Sequence, residues 1–305
     1  MKWRNLHFSN PLGTAGGLDK NGTLLHGTWA LGAGFVEIGT ITPLPQLPNP
    51  GKRFDRDLST YSVWNRLGFP NDGAEKIHTR LKKIARPYPT PLFLNIGKNR
   101  DTDLRRAHED YVQLILKFRD LIDAFVVNVS SPNTAGLRDL LRPDRLREFL
   151  HPIIAASPLT PVLLKLSPDV TDGELIEILD ASNESGVSGW ILTNTTLARP
   201  DFLTTRYPKD GGVSGQPLAA RSLELLKLTV KHLHTRGVDT SSDKLIISVG
   251  GVMTADDVFE RLRLGAQLVQ IYSSLVFNGP GFFHEVAGRA KKTEMAPGGR
   301  GDHSP

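Results

Sequence analysis

Eight short apolar runs, each ended by a polar or glycine-containing loop and followed by a helical pattern, constrain this chain more than any other feature of its sequence. In order they are PLGTAGG from Pro11, FVEIGT from Phe35, PLFLNIG from Pro91, AFVVNVS from Ala124, VLLKLS from Val162, GWILTNT from Gly189, KLIISVGG from Lys244 and LVQIYSS from Leu268. The runs are nearly continuous in apolar residues, as parallel strands buried on both faces are, and eight such strands close into a barrel. The prediction is an α/β fold, a (β/α)8 TIM barrel. The competing arrangement is a doubly wound open sheet, and no G-x-G-x-x-G turn follows the first run to support it.

Helical periodicity fills the gaps. Leu104, Tyr111, Ile115, Phe118 and Ile122 mark one face of a helix beginning near Asp101. Leu223, Leu226, Val230 and Leu233 mark another, with Gly237 placed to end it in a left-handed cap. Thr254 and Asp257 form a capping box for a third, which should stop at Gly265. The stretch from Thr40 to Arg86 is too long for a simple connection and predicts an insertion over the C-terminal mouth of the barrel. Residues 1–290 then form one catalytic barrel domain. The segment from Lys291, KKTEMAPGGRGDHSP, has no apolar period and is expected to be a disordered tail, residues 291–305.

Composition narrows the chemistry. The chain has no cysteine, which excludes disulfides, thiolate metal sites, iron–sulfur ligation and any thiol nucleophile or base. The net charge of +5 is spread over helical segments such as Arg80 to Arg86, with no arginine-rich arm, so it reads as solvated surface and not as a nucleic-acid interface. It still favours anionic ligands. No apolar stretch reaches bilayer length, and the start MKWRNLHFSNPLG lacks a secretory layout. The expected location is the cytoplasm.

Barrels of this kind build their sites at the C-terminal ends of the strands. Here those ends carry Lys20, Thr40, Asn95, Asn128, Ser131, Lys165, Thr193 with Asn194, Gly250-Gly251, and Tyr272-Ser273. Any one of them could be a turn-former, but together they describe a polar site. Lys165 lies inside an apolar run, and an unpaired ammonium there would lose several kcal/mol of hydration, so it needs an anion. A buried salt bridge and a bound anionic ligand both satisfy that need. The glycines Gly211, Gly212, Gly215, Gly250 and Gly251 suit a phosphate near the last strands. The fourth loop, Asn128-Val129-Ser130-Ser131-Pro132-Asn133-Thr134, has no nearby histidine and no nucleophile-elbow pattern. Ser131 there can act as a proton acceptor if a polar network carries its proton away.

Ten motifs in order, NPLGTAGGLDKNG, FVEIGTITP with PQLPNP, NRLGFPNDG, NIGKN, NVSSPNTAGLR, LKLSPD, TNTT, GGVSGQPL, SVGG and LVQIYSS, make the chain resemble the dihydroorotate dehydrogenase family, in particular its class 2. The resemblance runs from about Leu6 to Phe283. It implies oxidation of dihydroorotate to orotate in de novo pyrimidine (UMP) biosynthesis on bound FMN, with Ser131 as base at C5 and hydride passing from C6 to flavin N5. By the same resemblance Thr134 and Phe69 form and close the proton path. Lys20, Asn65, Arg66, Leu67, Gly68, Phe69, Asn128, Asn133, Asn194 and Thr195 bind substrate. Gly16, Gly17, Lys20, Thr40, Asn95, Asn128, Lys165, Thr193, Gly215, Gly250, Gly251, Tyr272 and Ser273 bind FMN, and no metal is involved.

Class 1 members use a cysteine where Ser131 stands, and class 2 members pass electrons to a membrane quinone, so the resemblance implies quinone as the acceptor and, as the alternative to a free cytoplasmic protein, peripheral attachment to the cytoplasmic face of the inner membrane. The chain departs from the class 2 pattern in starting at the barrel, without the two-helix N-terminal extension that forms the quinone tunnel. Smaller departures are Gly16 for alanine, Pro70 in the NRLGF segment, Ala135 for proline and Ser274 for glycine. Two other readings are a flavin barrel acting on a related pyrimidine or on tRNA dihydrouridine, whose families use cysteine as acid, and a flavin-binding barrel with impaired turnover or a different electron acceptor.

Overall fold

Eight parallel strands close into one barrel in the computed structural model, which describes residues 1–295 other than 135 and 241. They are β1 (Leu12–Asp19), β2 (Phe35–Ile41), β3 (Leu92–Ile96), β4 (Ala124–Asn128), β5 (Val162–Lys165), β6 (Gly189–Leu192), β7 (Leu245–Val249) and β8 (Leu268–Ile271), and β8 pairs with β1 to complete the ring. Each coincides with one of the apolar runs, β1 and β2 extending past theirs to Asp19 and Ile41. The closed ring excludes the open doubly wound sheet.

Alternation along these strands decides what faces the barrel axis. Inward positions in the lower layers are apolar: Phe35, Phe93, Ala124, Val126, Leu163, Ile191, Leu245, Ile247 and Leu268 form one cluster. Gly13 leaves room for it, since a Cβ there would lie 2.5 Å from the Phe35 ring. A short hairpin, Lys2–Trp3 with Leu6–His7, plugs the N-terminal end with Trp3, Leu6 and Phe8, and Phe8 meets Phe35 edge-on at 5.9 Å. Two residues further up the same strands the inward positions turn polar, at Glu37, Asn95, Asn128, Lys165 and Gln270, all buried. The barrel is thus apolar at its floor and polar at its C-terminal mouth. Outward positions pack a second, larger cluster against the helices.

The helices follow their caps. Asp103 accepts from the Arg105 N–H and starts a 3-10 turn, Leu104–Arg106, so the α-helix runs only from Ala107 to Phe118. The expected start near Asp101 is therefore several residues early, and Ile122 is buried beyond the helix end. The helix Ala219–Thr235 ends as expected, with Gly237 at φ 69. Its buried face is Ser222, Leu225, Leu226, Thr229 and Leu233, leaving Leu223 and Val230 at the flank. Thr254 and Asp257 form the full capping box of the helix Ala255–Arg263.

The insertion is a hairpin, Phe54–Asp57 with Ser62–Asn65, joined by Gly212–Gly215 into a three-stranded antiparallel sheet. Trp64, Leu203, Tyr207 and Val213 make its own small core. The Trp64 indole donates to the Asp210 carbonyl at 2.7 Å, which ties the hairpin to the loop after β6. This sheet carries Asn65 to Phe69 over the barrel mouth.

At the other end the helix Phe282–Met295 runs past Lys291, where a tail was expected to begin. Phe282, Phe283 and Val286 give it a buried face. The remainder of that expected tail, 296–305, lies outside the described residues, as does Ala135. No helix among the described residues is long and apolar enough to cross a membrane.

Candidate active site

The strand ends and the insertion enclose a cavity whose void, counted out to its open mouth and the solvent there, is about 950 Å³. From the barrel side it is lined by Gly16 and Gly17 on β1, Lys20 just after it, Thr40 on β2, Asn128 at the end of β4 and Lys165 on β5. Thr193, Asn194 and Thr195 follow β6, Gly250 and Gly251 follow β7, and Tyr272 and Ser273 follow β8. The insertion closes it with Asn65, Leu67, Gly68 and Phe69, and the fourth loop contributes Ser131 and Asn133.

A single hydrogen-bonded network holds these side chains. Glu37 receives Asn95 Nδ2 at 2.6 Å, Lys165 Nζ at 3.3 Å and Gln270 Nε2, so β2, β3, β5 and β8 meet on one carboxylate. Asn95 Oδ1 in turn accepts from Thr40 Oγ1 at 2.6 Å and Asn128 Nδ2 at 3.1 Å. Asn128 Oδ1 accepts from Asn194 Nδ2 at 3.2 Å and Ser130 Oγ at 3.2 Å. Every amide orientation in the chain follows from the fixed acceptor at its root, Glu37. Lys165 therefore has its anion within the protein while it also faces the cavity.

Ser131 is 4% exposed. Among the described residues its hydroxyl has one hydrogen bond, accepted from the Asn133 N–H at 3.2 Å. The loop that carries it is clamped by Arg138, which donates to the Ser130 carbonyl at 3.0 Å, to the Thr195 carbonyl at 3.2 Å and to Asp169 at 2.7 Å. Asp169 also receives Thr196 Oγ1 and the Leu197 N–H. One arginine thus joins the loops after β4, β5 and β6. Lys20 donates to the Gly17 carbonyl, and burial lowers its pKa, opposed by the neighbouring Asp19 charge. Asp19 is itself engaged by the Asn21, Thr23 and Leu24 amides.

Four residues expected at the site stand off the cavity wall. Arg66 turns out to Asp210 at 2.7 Å and the Pro50 carbonyl, because alternation beside Asn65 sends it to the solvent side. Asn95 sits one layer down and acts on the wall through Thr40 and Asn128. Gly215 faces the insertion sheet, where a Cβ would lie 2.1 Å from the Tyr61 carbonyl, and its neighbour Ser214 lines the cavity instead. Thr134 is buried in the same loop as Ser131, off the cavity wall. Glu37, Gln270, Ser214, Arg138 and Asp169 were not expected. Lys165 carried the signal for Glu37, since a charge inside an apolar run demands an opposite one inside another.

The residues present fit the flavin mononucleotide that the sequence implies. Gln270 Oε1 and Asn133 Oδ1 are buried without partners, and both side chains line the cavity, so they offer acceptors to the N–H edge of a ring. Gly250 and Gly251, at φ 117 and 69, line the cavity with backbone, since a Cβ on either would run into Leu218, Ser222 or Ala219 behind them, and Ser214 and Ser273, whose hydroxyls are 2.9 Å apart, stand beside them for a phosphate. Lys165 supplies a cation at the ring end. At Gly16 a Cβ would lie 2.3 Å from Glu37 Oε1, so an alanine there requires the carboxylate to move. Ser274 is buried with its hydroxyl unpartnered. Among the described residues no group of three or more His, Cys, Asp or Glu is placed to hold a metal ion.

A family model described as Dihydroorotate dehydrogenase matches residues 1–293. The chain is 44% identical over 276 residues to a Thermus thermophilus protein named Dihydroorotate dehydrogenase (quinone), covering 90% of this chain and 77% of that one. It is 41% identical over 282 residues to a Nautilia profundicola protein of the same name, covering 92% and 76%. Its structure superposes on that of DHODH in complex with ferulenol from Eimeria tenella with a TM-score of 0.86 at 33% identity, over 95% of this chain and 82% of that chain.

Proposed function

The chain belongs to the dihydroorotate dehydrogenase family and oxidises dihydroorotate to orotate in pyrimidine biosynthesis, and on that premise we propose that Ser131 is its base and a quinone its electron acceptor. The observation that carries the base is the make-up of the wall. No His, Asp, Glu or Cys is among the described residues lining the cavity, and Ser131 is the hydroxyl of the fourth loop that lines it.

Ser131 Oγ takes the proton from C5 of the substrate as its own hydroxyl proton passes on toward Thr134. The Asn133 N–H donates to that oxygen at 3.2 Å and so favours the partial negative charge that Oγ gains as its own proton leaves. Thr134, buried in the same loop, relays that proton outward, and Phe69 over the mouth keeps bulk water from the reacting carbon. When bound, FMN supplies the acceptor for the hydride that leaves C6. Lys20 offers its charge to the substrate carboxylate, while Asn65, Asn128, Asn133 and Asn194 match the alternating N–H and C=O groups of the pyrimidine ring. Lys165 offsets negative charge gained at the ring end. Arg138 fixes the distance between the loop that holds the base and the loop that holds the substrate.

A quinone is a lipid-phase acceptor, so this reading has the chain working in the cytoplasm and meeting its acceptor at a membrane surface. The name shared by the relatives supports quinone. Steady-state oxidation of dihydroorotate with quinone, fumarate and NAD⁺ offered in parallel tests it: turnover with quinone alone is expected, and turnover with either soluble acceptor alone would overturn the assignment.

A further inference from the structure

Arg261 is 2% exposed on the helix Ala255–Arg263, yet no side chain described at the site needs it. Its guanidinium donates to Ser248 Oγ at 2.7 Å, Ser222 Oγ at 2.9 Å and the Gly250 carbonyl at 2.7 Å. All three acceptors are neutral. Asp257 and Glu260 act on it only through space, and burial pushes its pKa from the ordinary 12.5 down to about 10, which leaves it a cation at neutral pH. A buried charge whose hydrogen-bond partners are all neutral is costly, so the fold keeps at this place a positive charge that only the more distant Asp257 and Glu260 offset.

The place is the back of the glycine turn. Gly250 and Gly251 line the cavity. The peptide joining them is trans, so its C=O and N–H point in opposite directions. Arg261 holds the oxygen from the helix side, and Ser222 Oγ donates to the same oxygen at 2.6 Å. The Gly251 N–H is thereby turned away from the helix, toward the cavity side. A cation on the carbonyl oxygen also polarises the amide and strengthens its N–H as a donor.

We propose that Arg261 is a positioning residue for the phosphate of the bound ligand: it fixes the Gly250–Gly251 peptide with its N–H toward the phosphate and supplies the buried positive charge that the dianion offsets. The proposal rests on the reading of this turn as the phosphate site. It names a residue that touches no ligand and whose effect is confined to ligands carrying a phosphate.

The test compares FMN with riboflavin, which lacks only the phosphate. Full-length protein freed of flavin is titrated with each, following quenching of flavin fluorescence, for wild type, Arg261→Met and Arg261→Lys. Arg261→Met is expected to weaken FMN binding about 10- to 100-fold, the scale of lost charge-assisted hydrogen bonding, with riboflavin changed less than about twofold. Arg261→Lys, which keeps the charge, should retain most of the preference for FMN. A wild-type FMN-to-riboflavin ratio in Arg261→Met would overturn the proposal, as would equal weakening of both ligands, which marks a merely structural role. If wild type itself binds the two equally, the phosphate reading of the turn fails instead. Should the Met variant not fold, Arg261→Gln keeps donors, removes the charge and carries the same comparison.

Discussion

Lys165 Nζ lies 3.3 Å from Glu37 Oε1 across the mouth of the barrel, with the two side chains 5% and 0% exposed. The carboxylate is the root of the polar layer, because Asn95, Lys165 and Gln270 all donate to it. Glu37→Gln turns one of its acceptor oxygens into an N–H₂ group facing other donors. The expected loss is about 3 kcal/mol or more of stability, the scale for breaking one partner of a buried pair. Urea unfolding of the purified protein measures it; a loss within 0.5 kcal/mol, roughly what a surface change produces, would mean the layer is held by something else.

Arg138 should matter to rate more than to flavin content. It joins the Ser130 and Thr195 carbonyls, so it sets the spacing between base and substrate without touching either. Arg138→Ala is expected to keep bound FMN and slow flavin reduction at saturating dihydroorotate about 10- to 100-fold, the scale of a misplacement of about 1 Å. Asp169→Asn loosens the same clamp, and the double variant should be little slower than either single one. Stopped-flow reduction of the three proteins checks it, and additive effects would place the two residues in separate roles.

Substrate affinity should fall on the alkaline side. Burial lowers the pKa of Lys20 below its ordinary 10.5, against the opposing charge of Asp19. Its ammonium, and so its attraction for an anionic substrate, is fully present below the folded-state pKa and is lost as pH rises through it. The KM for dihydroorotate should rise in that window, below pH 10.5, and Lys20→Met should raise KM at neutral pH and flatten the profile. A Lys20→Met profile that keeps the same alkaline limb would assign the titration to another group.

The barrel is legible in the sequence because strands buried on both faces read as unbroken apolar runs, and all eight lie where those runs lie. The polar strand ends are legible for a related reason, since a buried polar side chain interrupts the run. Glu37 is less so. It sits in the middle of FVEIGT, and only the pairing of β2 with its neighbours fixes that it faces inward with Lys165. Arg66 follows the opposite course: its neighbours Asn65, Leu67, Gly68 and Phe69 line the cavity, but a one-residue step along an extended segment reverses the side it faces. Arg261 and Arg138 act through backbone carbonyls brought together only by tertiary packing, which no local pattern records. The helix Phe282–Met295 was hidden by the Gly- and Pro-rich residues beyond it, although Phe282, Phe283 and Val286 already mark its buried face.

The central claim is that Ser131 takes the C5 proton, and anaerobic stopped-flow reduction of bound flavin by dihydroorotate in Ser131→Ala tests it most directly. The account predicts wild-type FMN content and a reduction rate at neutral pH lower by on the order of 10²–10⁴-fold, the usual contribution of a general base. A flavin-loaded Ser131→Ala protein that bleaches at the wild-type rate would contradict it.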